Sequence, residues 1–409
     1  MSTHILRAVA LAAALLPAWA AATTLSLDQA IALAVQRSEA TRSARAGAHS
    51  AAEMARAAGQ QPDPMLTVGV DNLPVTGPDR FSTTIESMTM KRIGVAQEWV
   101  SSEKRAAKEA AAHAVAGRES VMERVAVAET RLQAALAYLD AYYAGEALKL
   151  TALSEMHAHE ELEAGKGRLA TTSGNSAEVL ALTASLGMAE DESSDVRQQQ
   201  NAATVTLQRW VGLAVEELAA PEMATPPNEA QYVAAHPTVV AKRRDIEVAR
   251  QEATLARLNR KPNWTWEVSY GQRTGYSDLV SLGVSIPLPV APAQRQDRET
   301  AAKLAMVEKT EAELAEAQRA AQGEYAALVS DVKRLQDRID RYHGAVLVPT
   351  RQRTAATLAA YRSNQTSLAM LFEARHGEVE VQRKLLALQR DLAKAQAQLT
   401  FKPIPGGAQ

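Results

Sequence analysis

The densest group of potential metal ligands in this 409-residue chain is Met156-His157-Ala158-His159-Glu160-Glu161. On a helix, His157 and His159 stand about 200° apart and cannot meet at one ion. His157 and Glu161, four residues apart, share a face and would hold an ion only weakly. A solvated helix face is the plainer reading. Met88 and Met90 offer soft thioethers of the kind that suit Cu(I), but without His or Cys beside them they read as packing residues. The chain has no Gly-rich phosphate loop, no His-Glu-x-x-His and no Gly-x-Ser-x-Gly. Its eight His are scattered and form no convergent acid–base pair. No catalytic residues, metal site or cofactor are expected, and the chemistry to look for is binding and passage, not catalysis.

Composition narrows the classes further. Cysteine is absent, which excludes disulfides, thiolate nucleophiles, Cys-ligated metals and a lipid attached through an N-terminal Cys. Lys+Arg is 45 against 47 Asp+Glu, a net charge of -2, so no bulk attraction to nucleic acid is expected. Aromatics are only 4% of the chain while Ala, Glu, Gln, Arg and Leu abound. That balance suits long helices packed through small residues better than a compact globule. At the N-terminus, Arg7, the apolar run Ala8 to Leu16, Pro17 and Ala18-Trp19-Ala20 make up a cleavable export signal, with the cut after Ala20 or Ala22. The run is too short for a membrane anchor, which needs about 20 apolar residues.

The elements follow from the breaks. Ser26 with Gln29 is a capping box opening a helix from Leu27 to Gly59, which Gln61-Pro62-Asp63-Pro64 stops. Leu66, Val68 and Val70 alternate with Thr67 and Gly69 as a strand, and Ile93 to Gln97 gives a second after a loop from Asn72 to Met90. From Ser101 to Ala164 there is no proline, and a helix of that length reaches about 100 Å. Gly165, Gly167, Gly174 and Asn175 mark its turn, and a return helix runs from Ser176 to Trp210. After a linker with Pro221, Pro226 and Pro227 the pattern repeats. A helix from Pro237 leads to strands at Trp264–Tyr270 and Val280–Ile286. A long helix follows, interrupted at Pro349, then a turn at Ser363-Asn364-Gln365 and a last helix to Leu399. Gly94 and Gly283, like Asn175 and Asn364, are separated by about 190 residues. The expected organisation is a signal at 1–22, a first repeat at 23–220, a linker at 221–230, a second repeat at 231–400 and a disordered tail at 401–409.

The strands carry the sharpest physical information. Trp264, Trp266, Val268 and Tyr270 share one face against Thr265, Glu267 and Ser269; Val280, Leu282, Val284 and Ile286 share one against Ser281, Gly283 and Ser285. Apolar and aromatic residues outside with small or polar ones inside is what a membrane barrel wall requires. An ordinary sheet with one wet face shows the same alternation. In lipid every strand edge must be paired, so four strands cannot stand alone and several chains must contribute.

These segments resemble the TolC family of outer-membrane channel proteins over nearly the whole mature chain. Leu25 to Ala34, Leu207-Gln208-Arg209-Trp210-Val211-Gly212, Ala235-His236-Pro237, and Arg273 with Asp278 to Leu288 carry the resemblance. The phrases Val268 to Arg273 and Ser281 to Pro289 look most like the shorter members linked to heavy-metal cation efflux.

The resemblance implies a mainly α fold with a small β part, internally duplicated. A long α-helical barrel would join four β-strands per chain, and a homotrimer would complete a 12-strand membrane β-barrel. It implies a non-enzymatic exit duct lying in outer-membrane lipid and the periplasm; many members carry a lipidated N-terminal Cys, this sequence has none, and anchoring is expected to rest on the barrel alone. Its partners would be a periplasmic adaptor and an inner-membrane transporter of RND type. Exit ducts for organic solutes or for type I protein secretion share the class, and a periplasmic coiled-coil scaffold without a pore is the alternative from another. The resemblance places adaptor docking at the two turns, Gly174, Asn175 and Ser176 with Ser363, Asn364, Gln365 and Thr366, and a pore constriction near Tyr361, Met370 and Glu373. In the family's Tyr-x-x-Gly pattern Asn364 stands at the Gly, and Met370 and Glu373 stand at two Asp positions. Glu373 reads either as one acidic ring of the trimer or as a solvated surface charge.

Overall fold

The computed structural model describes residues 24–171 and 175–406. The export signal and Gly174 lie outside the described residues. Helices α1 (Leu27–Arg37) and α2 (Glu39–Ala58) lead into strands β1 (Met65–Asp71) and β2 (Met90–Trp99). Helices α3 (Ser102–Ala170) and α4 (Ser176–Val211) follow. Then come α5 (Glu229–Ala235), α6 (Pro237–Leu258), β3 (Trp264–Gln272), β4 (Leu279–Ser285) and α7 (Gln296–Arg341). A π-helical segment (Tyr342–Leu347) joins α7 to α8 (Val348–Arg362), and α9 (Leu368–Phe401) closes the chain. The order helix, hairpin, long helix, return helix thus occurs twice. With 69 residues, α3 is about 100 Å long.

Such a length leaves no room for one central core. Buried side chains instead form clusters strung along the helices. The largest joins Leu27 and Ile31 of α1, Leu132 and Leu139 of α3, Leu207 and Val211 of α4, and Phe401 of α9. Small residues such as Ala134, Ala135 and Ala141 let the helices approach there. Tyr138 is fully buried in this cluster, its hydroxyl 2.7 Å from both the Leu25 and the Ala219 carbonyls. Burial pushes its phenol up to about 12. Leu25 and Leu218 form a parallel β-bridge beside it, so the two ends of the first repeat are laced together.

The capping box is present: Ser26 Oγ accepts from the Gln29 N–H and Gln29 Oε1 accepts from the Ser26 N–H. Four local expectations need correction. The helix expected over 27–59 is two, because Ser38 is extended (ψ 111°) and caps α2 by accepting from the Thr41 N–H. Gly165 and Gly167 do not turn the chain; α3 runs on to Ala170. Gly165 is buried where a Cβ would come within 2.8 Å of Leu182 Cδ1, so it serves close packing of α4. The interruption tied to Pro349 is a π-helical turn just before it, which relieves the clash of the proline ring with the carbonyl four residues back. Residues 401–404 are no loose tail: Phe401 and Ile404 are buried, and the Ile404 N–H donates to the Ala235 carbonyl.

Candidate channel wall and tunnel mouth

The four strands form one antiparallel sheet in the order β1-β2-β3-β4, so the hairpins of the two repeats join edge to edge through β2 and β3. The register stacks side chains into rows. Leu66, Val95, Val268 and Leu282 make one row, and Val68, Ile93, Tyr270 and Val280 make the next. Trp266 pairs with Val284, and Trp99 with Trp264. Ile286 continues this face just beyond the end of β4. These residues are exposed, Leu282 at 79% and Val68 at 74%. All eight residues expected on the membrane face therefore lie on one continuous apolar surface. The opposite face carries Thr67, Gly94, Ser269 and Ser281 in register, with Arg92 ion-paired to Asp71 at 3.1 Å and Glu267 at 3.3 Å. Apolar on one side and hydrogen-bonding or charged on the other is the division between lipid and water. No other strand lies against β1 or β4 on their outer edges among the described residues. An unpaired edge is untenable in hydrocarbon.

The sheet is oriented by its connections. Met65, Trp99, Trp264 and Ser285 stand at the ends that pass into helices, whereas the loops 72–89 and 273–278 lie at the other end. In the second loop Asp278 accepts from the Tyr270 hydroxyl and from the Arg273 N–H. Of the two candidate thioethers, Met90 packs on Gly271 and Met88 is exposed.

At the far end of the helices the two turns meet. Leu162 of α3, Leu182 of α4, and Leu368 and Leu371 of α9 form a buried cluster, with Tyr361 and Leu358 of α8 packed against it. Glu178 Oε1 accepts from the Leu368 N–H at 3.1 Å, tying one turn to the other. The Arg168 guanidinium lies 5.6 Å from the Tyr361 ring centroid. Asn175 caps α4 by accepting from the Ala177 N–H. Ser176, Ser363, Asn364 and Gln365 are exposed beside it, and Thr366 is half-buried. Asn364 has φ +57°, the left-handed region, which explains why asparagine stands where the family pattern has glycine. The three constriction candidates do not converge within one chain. Tyr361 turns toward the leucine cluster, while Met370 and Glu373, one helical turn apart, are exposed.

Just above this cluster Glu161, 4% exposed, accepts from Arg375 Nη1 at 2.6 Å and joins α3 to α9. Its other oxygen has no hydrogen-bond partner. Burial raises its pKa, opposed by the Arg375 charge. His157 and Glu161, the weaker option weighed for an ion, do not meet: Glu161 is taken by Arg375, and His157 lies 3.4 Å from Glu160. Among the described residues no three His, Asp or Glu side chains gather to hold a metal ion. The Glu161–Arg375 and Glu178–Leu368 contacts carry no sequence signal, since each joins residues about 200 positions apart.

This architecture is that of solved outer-membrane channels. CusC, whose structures concern folding and transmembrane channel formation, superposes with a TM-score of 0.76 at 13% identity, covering 92% of both chains. The open state of the Neisseria gonorrhoeae MtrE outer-membrane channel gives 0.74 at 16% identity, covering 94% of this chain and 89% of its own. VceC, an outer-membrane protein of Vibrio cholerae, gives 0.70 at 17% identity, covering 91% and 96%. No protein-family model and no curated protein matches the chain. At these identities the likeness is one of fold, and it is the fold that the TolC-family resemblance implied: mainly helical, with one chain supplying four strands.

Proposed function

We propose that this chain belongs to the TolC family and assembles as a homotrimer into the exit duct of a tripartite efflux pump in the outer membrane. The carrying observation is the sheet: a continuous apolar exterior, a charged interior and two open edges, mounted on helices about 100 Å long. Three such sheets close a wall, and the helices extend it across the periplasm. The signal at 1–22 directs export, and the repeats 23–220 and 231–400 each supply one hairpin and one helical arm. The duct performs no chemistry; it offers a water-filled path, and the energy comes from the partner. The turns at Gly174 to Ser176 and Ser363 to Thr366 receive a periplasmic adaptor, which links the duct to an RND-type inner-membrane transporter. Heavy-metal cations are the proposed cargo. The phrases Val268 to Arg273 and Ser281 to Pro289 support that class, as does exposed Glu373 beside exposed Met370 at the mouth.

Fractionation followed by unheated gel electrophoresis tests the assembly. A detergent-requiring, trimer-sized band that collapses on boiling is expected. Release by a salt wash, or monomeric migration without heating, would turn the reading to a periplasmic scaffold. Growth of a deletion strain on heavy-metal salts tests the cargo: hypersensitivity is expected, and sensitivity only to organic toxicants would assign the duct to organic solutes.

A further inference from the structure

The paired indoles Trp99 and Trp264, each 56% exposed, sit where the strands pass into the helices. Indoles settle at the boundary between hydrocarbon and headgroups. They fix the level of the periplasmic interface, and what lies a few residues farther along each chain segment lies among headgroups. A cavity of about 560 Å³ opens there, between the first turn of α3, the 259–263 connection and the 287–295 connection. Four cations line it, Lys104, Arg260, Lys261 and Arg295, against a single carboxylate, Glu299.

Two of these cations have ionic partners: Arg260 pairs with Asp297 at 3.1 Å and Lys261 with Glu103 at 2.7 Å. Lys104 and Arg295 have no carboxylate within ion-pair distance among the described residues. Lys104 is only 5% exposed, yet its ammonium is held by neutral oxygens alone, the Lys261 carbonyl and Asn263 Oδ1 at 2.7 Å. A buried ammonium with no carboxylate in contact is costly unless an anion completes it. Its pKa is lowered, first by burial and then by Lys108, against the opposing pull of Glu98, which accepts from Asn263 Nδ2 at 2.7 Å. Gln296 Oε1, also at this cavity, is buried without a hydrogen-bond partner. Beside these polar groups Leu288 and Val290 stand 79% and 95% exposed on the cavity wall.

Resting on the channel reading above, we infer that this cavity holds the headgroup of an anionic glycerophospholipid of the periplasmic leaflet. Its phosphate lies between Lys104 and Arg295, and its acyl chains run past Leu288 and Val290 into the hydrocarbon. A free phosphate would satisfy the cations but not the apolar wall. A lipid held there supplies each copy with a hold on the membrane beyond the wall itself.

The test is native mass spectrometry of the full mature trimer with phosphatidylglycerol or phosphatidylcholine added. Phosphatidylglycerol is expected to bind at about one molecule per chain and about tenfold more tightly than phosphatidylcholine. Arg295→Ala, at an exposed position, is expected to weaken it roughly fivefold, the contribution of one cation near a membrane surface. Arg80→Ala, at the opposite end of the barrel, should change nothing. Lys104→Met is expected to abolish the preference, and Arg295→Ala keeps the question answerable if that buried variant fails to fold. Equal retention of both lipids, an inert Arg295→Ala, a cavity sealed by the neighbouring copy so that no lipid binds, or displacement by millimolar inorganic phosphate would each overturn the assignment. A trimer persisting in any of these outcomes leaves the channel reading standing, whereas a monomeric species would overturn both.

Discussion

Arg375→Met is the most discriminating single perturbation at the tunnel mouth. It removes the countercharge from Glu161, which is 4% exposed and 2.6 Å from the guanidinium. Losing one partner of a buried ion pair costs about 3–5 kcal/mol, because the remaining carboxylate is left without compensation. Glu161→Gln should cost much less, about 1 kcal/mol, since the amide oxygen still accepts from Arg375 and the 26% exposed guanidinium reaches water. Hydrogen exchange read on peptides spanning 155–165 and 370–380 should then quicken by about a hundredfold or more in Arg375→Met and by less than about tenfold in Glu161→Gln. The pH dependence has a definite sign. Burial raises the Glu161 pKa, so the neutral form is the one the fold favours, and this group's contribution is fullest below the ordinary carboxylate range. That contribution is lost as pH rises through the elevated pKa. Without Arg375 the pKa rises further, so the variant's penalty should be large at pH 8 and shrink toward pH 5. Equal losses in the two variants, or a penalty that grows in acid, would refute the account.

Further outcomes follow from the wall, the turn and the closure of the first repeat. Leu282→Arg places a charge on the lipid face and should cost about 2–4 kcal/mol and deplete the heat-sensitive trimer on unheated gels, whereas Ser281→Arg on the wet face should assemble normally. Asn364→Val forces a β-branched residue into φ +57° and should destabilise the tip by about 1–2 kcal/mol in the same exchange assay, while Asn364→Gly is tolerated. Asn364→Lys should impair export while trimers still form, and normal export would remove this turn from the docking surface. Tyr138→Phe leaves the Ala219 carbonyl without its donor, while the Leu25 carbonyl still accepts from the Ala219 N–H, and should lower the unfolding midpoint in thermal melts by an amount equivalent to about 1 kcal/mol.

Much of this molecule was legible because its features are periodic or punctuated. Alternation marked all four strands and their faces, and the proline-free stretch after Ser101 marked the longest helix. What sequence concealed was decided by contacts. Ser38 breaks the first helix without disturbing its apolar stripe, because a capping serine can also ride a helix face. Gly165 reads as a turn but serves as a seat for Leu182. Phe401 and Ile404 follow the last clear helical period and looked like a tail, yet Ile404 docks on Ala235, about 170 positions earlier. At the candidate site, the lining of the wall was readable strand by strand, while the union of the two hairpins through β2 and β3 was not, since neither strand specifies its outer neighbour. The packing of Tyr361, a candidate for the constriction, against the leucine cluster of α3, α4 and α9 was not readable either, since its neighbours come from other helices.

The bare margins of β1 and β4 have a genetic corollary. If three copies close the wall as proposed, a single copy has no finished resting state of its own, and its first partners decide its fate. If a copy with a spoiled margin is made in equal amount with the native one and the two mix freely, only about one assembly in eight contains three sound members. A single damaged allele would therefore poison most of the ducts in the cell, and margin variants should emerge as dominant in merodiploid screens where tip variants are partial.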